Sequence, residues 1–298
     1  MISYIDEFFR DPKGMLVFFL LAFPGRIMAL SLHEFAHAWM ANRCGDPTAK
    51  LMGRLTVNPM KHLDPLGTVL MLVVGFGWAK PVPVNPRNFR NPRWDDLKVS
   101  LAGVTMNLLM FLLSLVVMTV AVGFALARVP SGDLTTTGVN LFRMNYLGTD
   151  ALVFPGDKTY VPVMQLLVNL PYYPGETLIK PVFGWVAGNL YQMVGYFCMT
   201  NLVLCLFNLL PIPPLDGYHV LNDLILRRKQ LFANPQTARI ASTVLFVLVL
   251  TGVVGRAIGW LDTRILTGAG HVAAAALRAF GLMEWNGKRG RFLIPSRI

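Results

Sequence analysis

Charged residues are scarce in this sequence. Only 14% of its 298 residues are Asp, Glu, Lys or Arg, whereas 54% are hydrophobic. A soluble globular domain of ordinary composition has about 25% charged residues. The scarcity of charge therefore excludes an ordinary soluble domain and indicates an integral membrane protein.

Cysteine is also scarce, since Cys44, Cys198 and Cys205 are the whole complement. No two of them form a C-x-x-C pair, and their number is odd. Such a set gives neither a disulfide framework nor a thiolate metal site. Cys198 and Cys205 are seven residues apart in an apolar segment, and the sequence predicts packing roles for these two.

Acidic residues are fewer than basic ones, 16 against 27, which gives a formal net charge of +11. Basic residues beside apolar spans are expected from the positive-inside rule and from the attraction of anionic lipids. No segment resembles a nucleic-acid-reading module. The positive charge therefore predicts contact with a lipid bilayer and no nucleic-acid partner.

Long apolar runs are what the sequence does contain. A spanning helix needs about 20 predominantly apolar residues. Segments of this kind lie at 15–41, 97–127, 184–217 and 240–261, where the third includes a proline-rich end. Residues 128–183 are predicted to be an extracytoplasmic loop. The predicted fold class is an all-α membrane protein, with residues 1–298 as one domain and about four transmembrane helices.

The basic residues predict the orientation of these spans. Arg227, Arg228 and Lys229 lie between the third and fourth spans, which predicts that this loop is cytoplasmic. The first span then runs from outside to inside, and the tail at 262–298 lies outside although it is basic. Either this tail dips back through the membrane near 271–280, or its charges do not decide topology; the sequence leaves both open.

A fifth apolar run, Leu66–Trp78, is too short for an ordinary span. Both its flanks are basic, so a re-entrant segment at 66–96 keeps both flanks on the cytoplasmic side. The stretch Trp78–Asn85, W-A-K-P-V-P-V-N, is rich in Val and Pro, which favours extended backbone. We therefore expect a membrane re-entrant β element between the first and second spans.

The first span ends in H-E-F-A-H, residues 33–37. This spacing places His33 and His37 on one helix face, where both imidazoles can bind one metal ion. Glu34 lies between them and can accept a proton from an attacking water molecule. Ionisable side chains at membrane depth are costly and indicate function. The motif predicts a metal-dependent hydrolase within the bilayer.

A catalytic zinc site usually has a third protein ligand. Residues 208–217 read N-L-L-P-I-P-P-L-D-G at the inner end of the third span, and the prolines must break the helix there. Asp216 is then predicted at the same depth as His33 and His37. An uncompensated carboxylate near the membrane favours a cation beside it, and zinc suits imidazole with carboxylate. The alternative is a turn at the cytoplasmic interface.

These segments resemble the site-2 protease family of intramembrane zinc metalloproteases, in its compact bacterial branch without PDZ domains. The resemblance depends on H-E-F-A-H at 33–37 and on N-L-L-P-I-P-P-L-D-G at 208–217. It is reinforced by G-D-P-T-A-K at 45–50, G-R-L-T-V-N-P-M-K-H-L-D-P-L-G at 53–67 and G-W-A-K-P-V-P-V-N-P at 77–86. The last stretch matches the re-entrant β element to which the family assigns substrate clamping.

The resemblance implies a zinc site whose ligands are His33, His37 and Asp216, with Glu34 as the catalytic glutamate. The family's activity is hydrolysis of peptide bonds within or near transmembrane segments, known as regulated intramembrane proteolysis. The implied partners are membrane-spanning protein substrates and the lipid bilayer, and no regulatory partner is identified. The implied location is the cytoplasmic (inner) cell membrane, multi-pass, with the active site toward the cytoplasmic side.

Two asparagines are implied to bind substrate. Asn208 matches a residue to which the family assigns contact with the substrate backbone or the oxyanion. Asn107 ends A-G-V-T-M-N, where the family often has A-G-P-x-x-N, so Val104 replaces a proline. Polar residues such as Asn107 and Asn201 are also typical of membrane helices joined by interhelical hydrogen bonds, and this alternative stays open.

Two other functions compete with proteolysis. Intramembrane histidines and aspartates also occur on ion pathways, so a metal-ion transporter is one alternative. A transporter would offer several successive sites, whereas one compact ligand set is visible here. A non-catalytic membrane scaffold that kept the fold is the other alternative, and the intact motifs disfavour it.

Overall fold

The computed structural model of the chain describes residues 9–73, 76–128, 179–226, 234–282, 284–286 and 291–293. These residues are mostly helical. In chain order the elements are α1 (Pro12–Arg43), α2 (Thr48–Leu51), α3 (Pro65–Val73), α4 (Pro92–Leu126), α5 (Lys180–Phe183), α6 (Trp185–Asn208), α7 (Asp216–Leu224), α8 (Pro235–Leu250), α9 (Val253–Ala279), β1 (Glu284–Asn286) and β2 (Arg291–Leu293).

Three helices, α1, α4 and α6, are each long and apolar enough to cross a membrane. They coincide with the predicted spans at 15–41, 97–127 and 184–217, although α6 ends at Asn208 and α7 begins only at Asp216. The prolines between them account for this break, because proline lacks the N–H that a helix requires. The membrane character is confirmed, and the three helices are candidate spans at the predicted places.

The N-terminal half of α1 packs closely against α6. Asp11 caps α1 by accepting a hydrogen bond from the Gly14 amide at 2.9 Å, and Pro12 occupies the first turn. A Cβ at Gly25 would lie 3.0 Å from the Phe197 amide nitrogen. Small residues allow such close approach between membrane helices.

The predicted single span at 240–261 is divided between two helices. α8 and α9 are bent by 68° at their junction, and only the pair together passes as long and apolar enough. Gly252 has φ of 76° at this junction, a left-handed conformation that ends helices. The described residues thus contain three candidate spanning helices, or four when the bent pair counts as one.

The predicted β element at 66–96 is not supported. Its described residues form α3, the 3₁₀ turn Pro86–Asn88 and the start of α4, joined by extended chain whose one β-bridge pairs Ala79 with Leu63. Proline cannot donate a ladder hydrogen bond, and Pro81, Pro83 and Pro86 interrupt the stretch. Extended backbone is present, but it lacks the regular pairing of a sheet.

The C-terminal region differs from the predicted tail. The first part of 262–298 continues α9 to Ala279, and β1 and β2 then pair as an antiparallel hairpin. These strands lie where the sequence analysis predicted none, so the all-α description holds for the spans and not for this end. Most of the predicted loop at 128–183 lies outside the described residues.

The chain divides into two compact units. The first comprises Met1–Leu112 with Phe197–Asp262, and the second comprises Leu113–Tyr196 with Thr263–Ile298. Both predicted metal motifs belong to the first unit. Within that unit Ala41, Cys44, Phe89 and Val99 form a buried apolar cluster just beyond the H-E-x-x-H turn of α1.

Candidate metal centre

His33, His37 and Asp216 converge in the first unit. The two Nε2 atoms are 2.9 Å apart. Asp216 Oδ2 lies 3.4 Å from His33 Nε2 and 3.3 Å from His37 Nε2. Both imidazoles are buried and Asp216 is nearly so. Residues from two distant parts of the chain therefore form one compact set that can bind a metal ion.

Local structure positions each of these side chains. His33 and His37 are one helical turn apart on α1, so their rings meet with centroids 4.5 Å apart. Asp216 is the first residue of α7, directly after the proline break. A Cβ at Gly217 would lie 2.3 Å from the Leu209 carbonyl oxygen. Glycine is thus required beside Asp216 for the chain to fold back closely at this point.

The remaining ring nitrogens define the tautomers of both histidines. His37 Nδ1 lies 2.8 Å from the Val99 carbonyl oxygen, and His33 Nδ1 lies 2.6 Å from Asn107 Oδ1. Oxygens of these kinds accept hydrogen bonds, so each Nδ1 carries the proton and donates it. Each Nε2 therefore presents a lone pair toward the other and toward Asp216.

These three atoms fit a cation. Asp216 Oδ2 is buried and accepts no hydrogen bond, and a buried carboxylate without a positive partner is unfavourable. In a tetrahedral zinc site with bonds of about 2.0–2.2 Å, neighbouring ligand atoms are about 3.3 Å apart. The two spacings between Asp216 and the histidines, 3.3 and 3.4 Å, agree with that value. The donor set also suits zinc.

Asn107 belongs to a chain of buried amides that ends on His33. Asn107 and Asn201 are both fully buried. The Asn107 Nδ2 donates to Asn201 Oδ1 at 2.8 Å, and Asn201 Nδ2 donates to the Phe197 carbonyl at 2.8 Å. The series connects α6 through α4 to α1. It places Asn107 against the His33 ring, while the predicted contact of Asn107 with substrate stays a prediction.

Asn208 lies at the last turn of α6. Its Nδ2 donates to the Leu204 carbonyl at 3.1 Å on the same helix, and the residue is half-buried. The amide oxygen is not used in that bond. The predicted contact of Asn208 with substrate stays a prediction.

Glu34 faces the extended chain rather than the third ligand. Its Oε2 accepts a hydrogen bond from the Val82 amide at 2.8 Å, and its side chain is half-buried. Glu34 is therefore beside the ligand set without belonging to it. The predicted role of Glu34 as the proton acceptor for an attacking water stays a prediction.

Two further contributors were missed by the sequence analysis. The Val99 carbonyl accepts a hydrogen bond from His37 Nδ1. A backbone acceptor of this kind cannot be predicted from a sequence pattern. A Cβ at Gly103 would lie 2.4 Å from His37 Nε2 and 2.6 Å from His33 Cε1. Glycine therefore allows α4 to pass directly over both rings. The glycine of A-G-V-T-M-N was the available signal.

The other described histidines lie outside this centre. His62 is buried and its Nε2 donates to the Thr56 carbonyl at 2.7 Å. His219 is exposed and lies 3.2 Å from Asp96, and this hydrogen bond raises the pKa of the imidazole above its ordinary value.

Comparison with known proteins identifies the chain's relatives. YwhC of Bacillus subtilis, whose name describes it as a zinc metalloprotease, is 36% identical over 221 residues, which are 74% of this chain and 75% of that protein. Rip2 of Mycolicibacterium smegmatis, also named as a zinc metalloprotease, is 34% identical over 109 residues, 35% of this chain and 42% of that protein. No solved structure matches the chain.

The family comparison covers the whole region of the metal centre. The sequence pattern described as peptidase family M50 matches residues 19–252, which include His33, His37 and Asp216. The match also includes the extended chain that contacts Glu34. The predicted resemblance is confirmed, and the chain belongs to peptidase family M50, the site-2 protease family.

Proposed function

We propose that this chain is an intramembrane zinc endopeptidase that cleaves membrane-spanning proteins within or near their transmembrane segments. The observation that carries the proposal is the convergence of three lone-pair atoms, from His33, His37 and Asp216, beside the Glu34 carboxylate. Two of these residues lie on a helix that is apolar enough to span a membrane.

The chain's own residues divide the chemistry between them. His33, His37 and Asp216 would bind the zinc ion, which when bound polarises the scissile carbonyl and activates water near neutral pH. Glu34 Oε2 is already bonded to the Val82 amide, so Oε1 is the oxygen that accepts the proton of the attacking water. As the water oxygen bonds to the carbonyl carbon and the C–N bond breaks, Glu34 returns that proton to the leaving amine. Asn107 orients His33, and Asn208 contributes to the oxyanion site.

The substrate class follows from the depth of the site. Peptide bonds of a membrane helix have their carbonyls hydrogen-bonded within the helix. A substrate must therefore be locally unwound before its carbonyl can reach the centre. Substrate spans that contain Gly or Asn near the cleavage point are expected to be cut faster than stiff poly-Leu spans.

The cell location extends the membrane assignment. We place the protein in the cytoplasmic membrane with its active site toward the cytoplasmic side. Basic residues surround the chain that follows the H-E-x-x-H turn, including exposed Arg43, Lys50 and Lys61. The positive-inside rule favours the cytoplasm for such a segment. Labelling of single cysteines introduced at these positions in intact cells tests the placement.

The deciding experiment uses the full chain, purified in detergent and incubated with single-span substrates. Glu34→Gln keeps the ligand set, so zinc content is expected to stay at the wild-type level. Cleavage is expected to fall about 100- to 10,000-fold, the contribution of a general base. A chelator should abolish cleavage by the wild-type protein, and added zinc should restore it.

Each outcome discriminates between functions. Cleavage that is unchanged in Glu34→Gln would overturn the assignment of Glu34. Absence of cleavage by zinc-loaded wild-type protein, together with zinc flux into vesicles that Glu34→Gln preserves, would identify a transporter instead. The zinc content of each sample, measured by atomic absorption, separates loss of catalysis from loss of metal.

A further inference from the structure

Three side chains hold the backbone of the segment Lys80–Asn85. Arg54 Nη2 donates to the Lys80 carbonyl at 2.7 Å. The Val82 amide donates to Glu34 Oε2 at 2.8 Å, and the Asn85 amide donates to Asp46 Oδ2 at 2.7 Å. The partners lie 26, 48 and 39 residues away in sequence. The segment is thus fixed at both ends and at its middle.

The sequence of this segment limits what the middle contact can be. Pro81 and Pro83 have no N–H, so Val82 carries the one amide donor among residues 81–83. Residues that precede proline are restricted to extended backbone, which applies to Lys80 and Val82. Extended backbone is therefore expected at these positions, and the lone central N–H donates to Glu34.

The two end contacts are built into the protein interior. Asp46 has no exposed surface, and Arg54 is buried. Besides Asn85, Asp46 accepts hydrogen bonds from the Thr48 amide at 3.1 Å, from the Thr48 hydroxyl at 2.5 Å and from Asn88 Nδ2 at 2.8 Å. Gly45, with φ of 107°, lets this loop approach Asn88. Such anchors leave the Val82 amide little freedom to move.

We propose that the Val82 amide is a positioning group for Glu34, which extends the proposed peptidase function. A glutamate side chain has several rotamers, and an unrestrained carboxylate on α1 would sample many of them. A charge-assisted hydrogen bond to Oε2 selects one orientation. Oε1 then stays directed at the place where water must be deprotonated. Val82 acts through Glu34 and does not touch the reacting atoms.

The contact itself is tested by hydrogen–deuterium exchange on the full chain in detergent, without any activity measurement. Pro81 and Pro83 contribute no exchanging amide, so the Val82 signal is isolated from its neighbours. In Glu34→Ala the Val82 amide is expected to exchange at least tenfold faster than in the wild type. Asn85, bonded to Asp46, serves as the internal control and is expected to keep its rate. An unchanged Val82 rate would overturn the proposal.

The catalytic consequence is tested with two variants of the same residue. Val82→Pro removes the N–H and suits the extended chain, whereas Val82→Ala keeps the N–H and removes the side chain. Val82→Pro is expected to lower kcat about ten- to hundredfold, the effect of a hydrogen bond to a charged group, with KM and zinc content preserved. Val82→Ala is expected to lose much less.

The outcomes separate this inference from the peptidase function. Equal losses of kcat in Val82→Pro and Val82→Ala would assign the effect to side-chain packing and overturn the proposal. Wild-type kcat in Val82→Pro would also overturn it.

If Val82→Pro binds less zinc, Asp46→Ala provides a second test, because it releases the distant anchor of the segment. It should then lower kcat at wild-type zinc content, and an unchanged kcat would contradict the proposal. If the wild type cleaves no substrate, the proposed peptidase function fails, whereas the contact between Val82 and Glu34 is still decided by hydrogen–deuterium exchange.

Discussion

The metal centre and the segment Lys80–Asn85 satisfy their polar groups in opposite ways. In the centre, side chains are oriented by other side chains and by the Val99 carbonyl. In the segment, backbone amides and carbonyls are held by charged side chains. The centre lies on helices whose backbone is already hydrogen-bonded. The segment lies outside helices and sheets, although its Lys80 amide donates to the His62 carbonyl at 2.8 Å. Irregular chain at membrane depth requires such partners.

Glu34 joins the two regions, since it follows His33 directly and accepts the Val82 amide. Under the two proposals, the centre binds the metal and the segment aligns Glu34. Variants of the centre should change zinc affinity. Variants of the segment should change stability and turnover while leaving zinc in place.

The largest effect is expected from Gly103→Ala, which changes only the centre. The added methyl would lie 2.4 Å from His37 Nε2 and 2.6 Å from His33 Cε1, so both rings must move. Zinc affinity, measured by competition with a chelator, should fall about a hundredfold, the upper end of the usual loss for groups that orient metal ligands. Gly255→Ala is the matched control, because nothing lies within 4 Å of its added Cβ. Normal zinc affinity in Gly103→Ala would disprove this account of the glycine.

The next effect concerns the amide that orients His33. Asn107→Leu leaves the His33 Nδ1 proton without an acceptor, and zinc affinity should fall about 10- to 100-fold. Asn107→Asp keeps an oxygen facing Nδ1 and should retain most of the affinity. If both variants lose zinc equally, the series from Asn201 to His33 acts in helix packing and not in orienting the ring.

A moderate effect is expected at the other side of the comparison. Asp46→Ala removes the acceptor of hydrogen bonds from Thr48, Asn85 and Asn88. The free energy of unfolding, followed by thermal melting in detergent, should fall by about 2–3 kcal/mol. Zinc affinity should not change. A loss of zinc in this variant would remove the distinction between the two regions.

Acid should weaken the same anchor. Burial pushes the pKa of Asp46 upward, but hydrogen bonds from Asn85, Thr48 and Asn88 lower it below the ordinary value. Because the pKa of Asp46 is lower in the folded chain than in the unfolded chain, its carboxylate stabilises the fold at pH values above the unfolded pKa of about 3.9. This stabilisation is lost as the pH falls through the folded pKa. The difference in melting temperature between wild type and Asp46→Asn should therefore shrink below about pH 4. A constant difference would contradict the charged hydrogen-bond network.

The smallest effect is expected outside both regions. His219 pairs with Asp96 at 3.2 Å, and 46% of its side-chain surface is exposed. His219→Ala should change the free energy of unfolding by less than about 1 kcal/mol, as is usual for exposed pairs. Zinc affinity should equal that of the wild type. A large loss of zinc would place His219 among the groups that support Asp216.

The sequence predicted those parts of the molecule that depend on local spacing. Two such features span only a few residues. The i, i+4 spacing of His33 and His37 predicts a shared helix face, and the prolines before Asp216 predict a helix break. The first three spans are local in the same sense. The divided fourth span depends on Gly252, whose left-handed conformation no hydropathy window detects.

The prediction of a β element at 66–96 was wrong for a related reason. Val and Pro content correctly indicated extended chain, but it could not indicate that the partners of that chain are Arg54, Glu34 and Asp46 instead of a second strand. Prolines remove the N–H donors that a β ladder requires, and these prolines are visible in the sequence. What it lacked was the distance between residues 26 to 48 positions apart.

By itself the sequence determined that this is a membrane protein with H-E-x-x-H in an apolar segment and an aspartate after a proline break, because composition and helical period act locally. Only the tertiary structure decided that Asp216 meets the two rings, that Asn107 and Val99 set their tautomers, and that Val82 meets Glu34. Those contacts join residues far apart in the chain, and their energies depend on distances that no linear pattern contains.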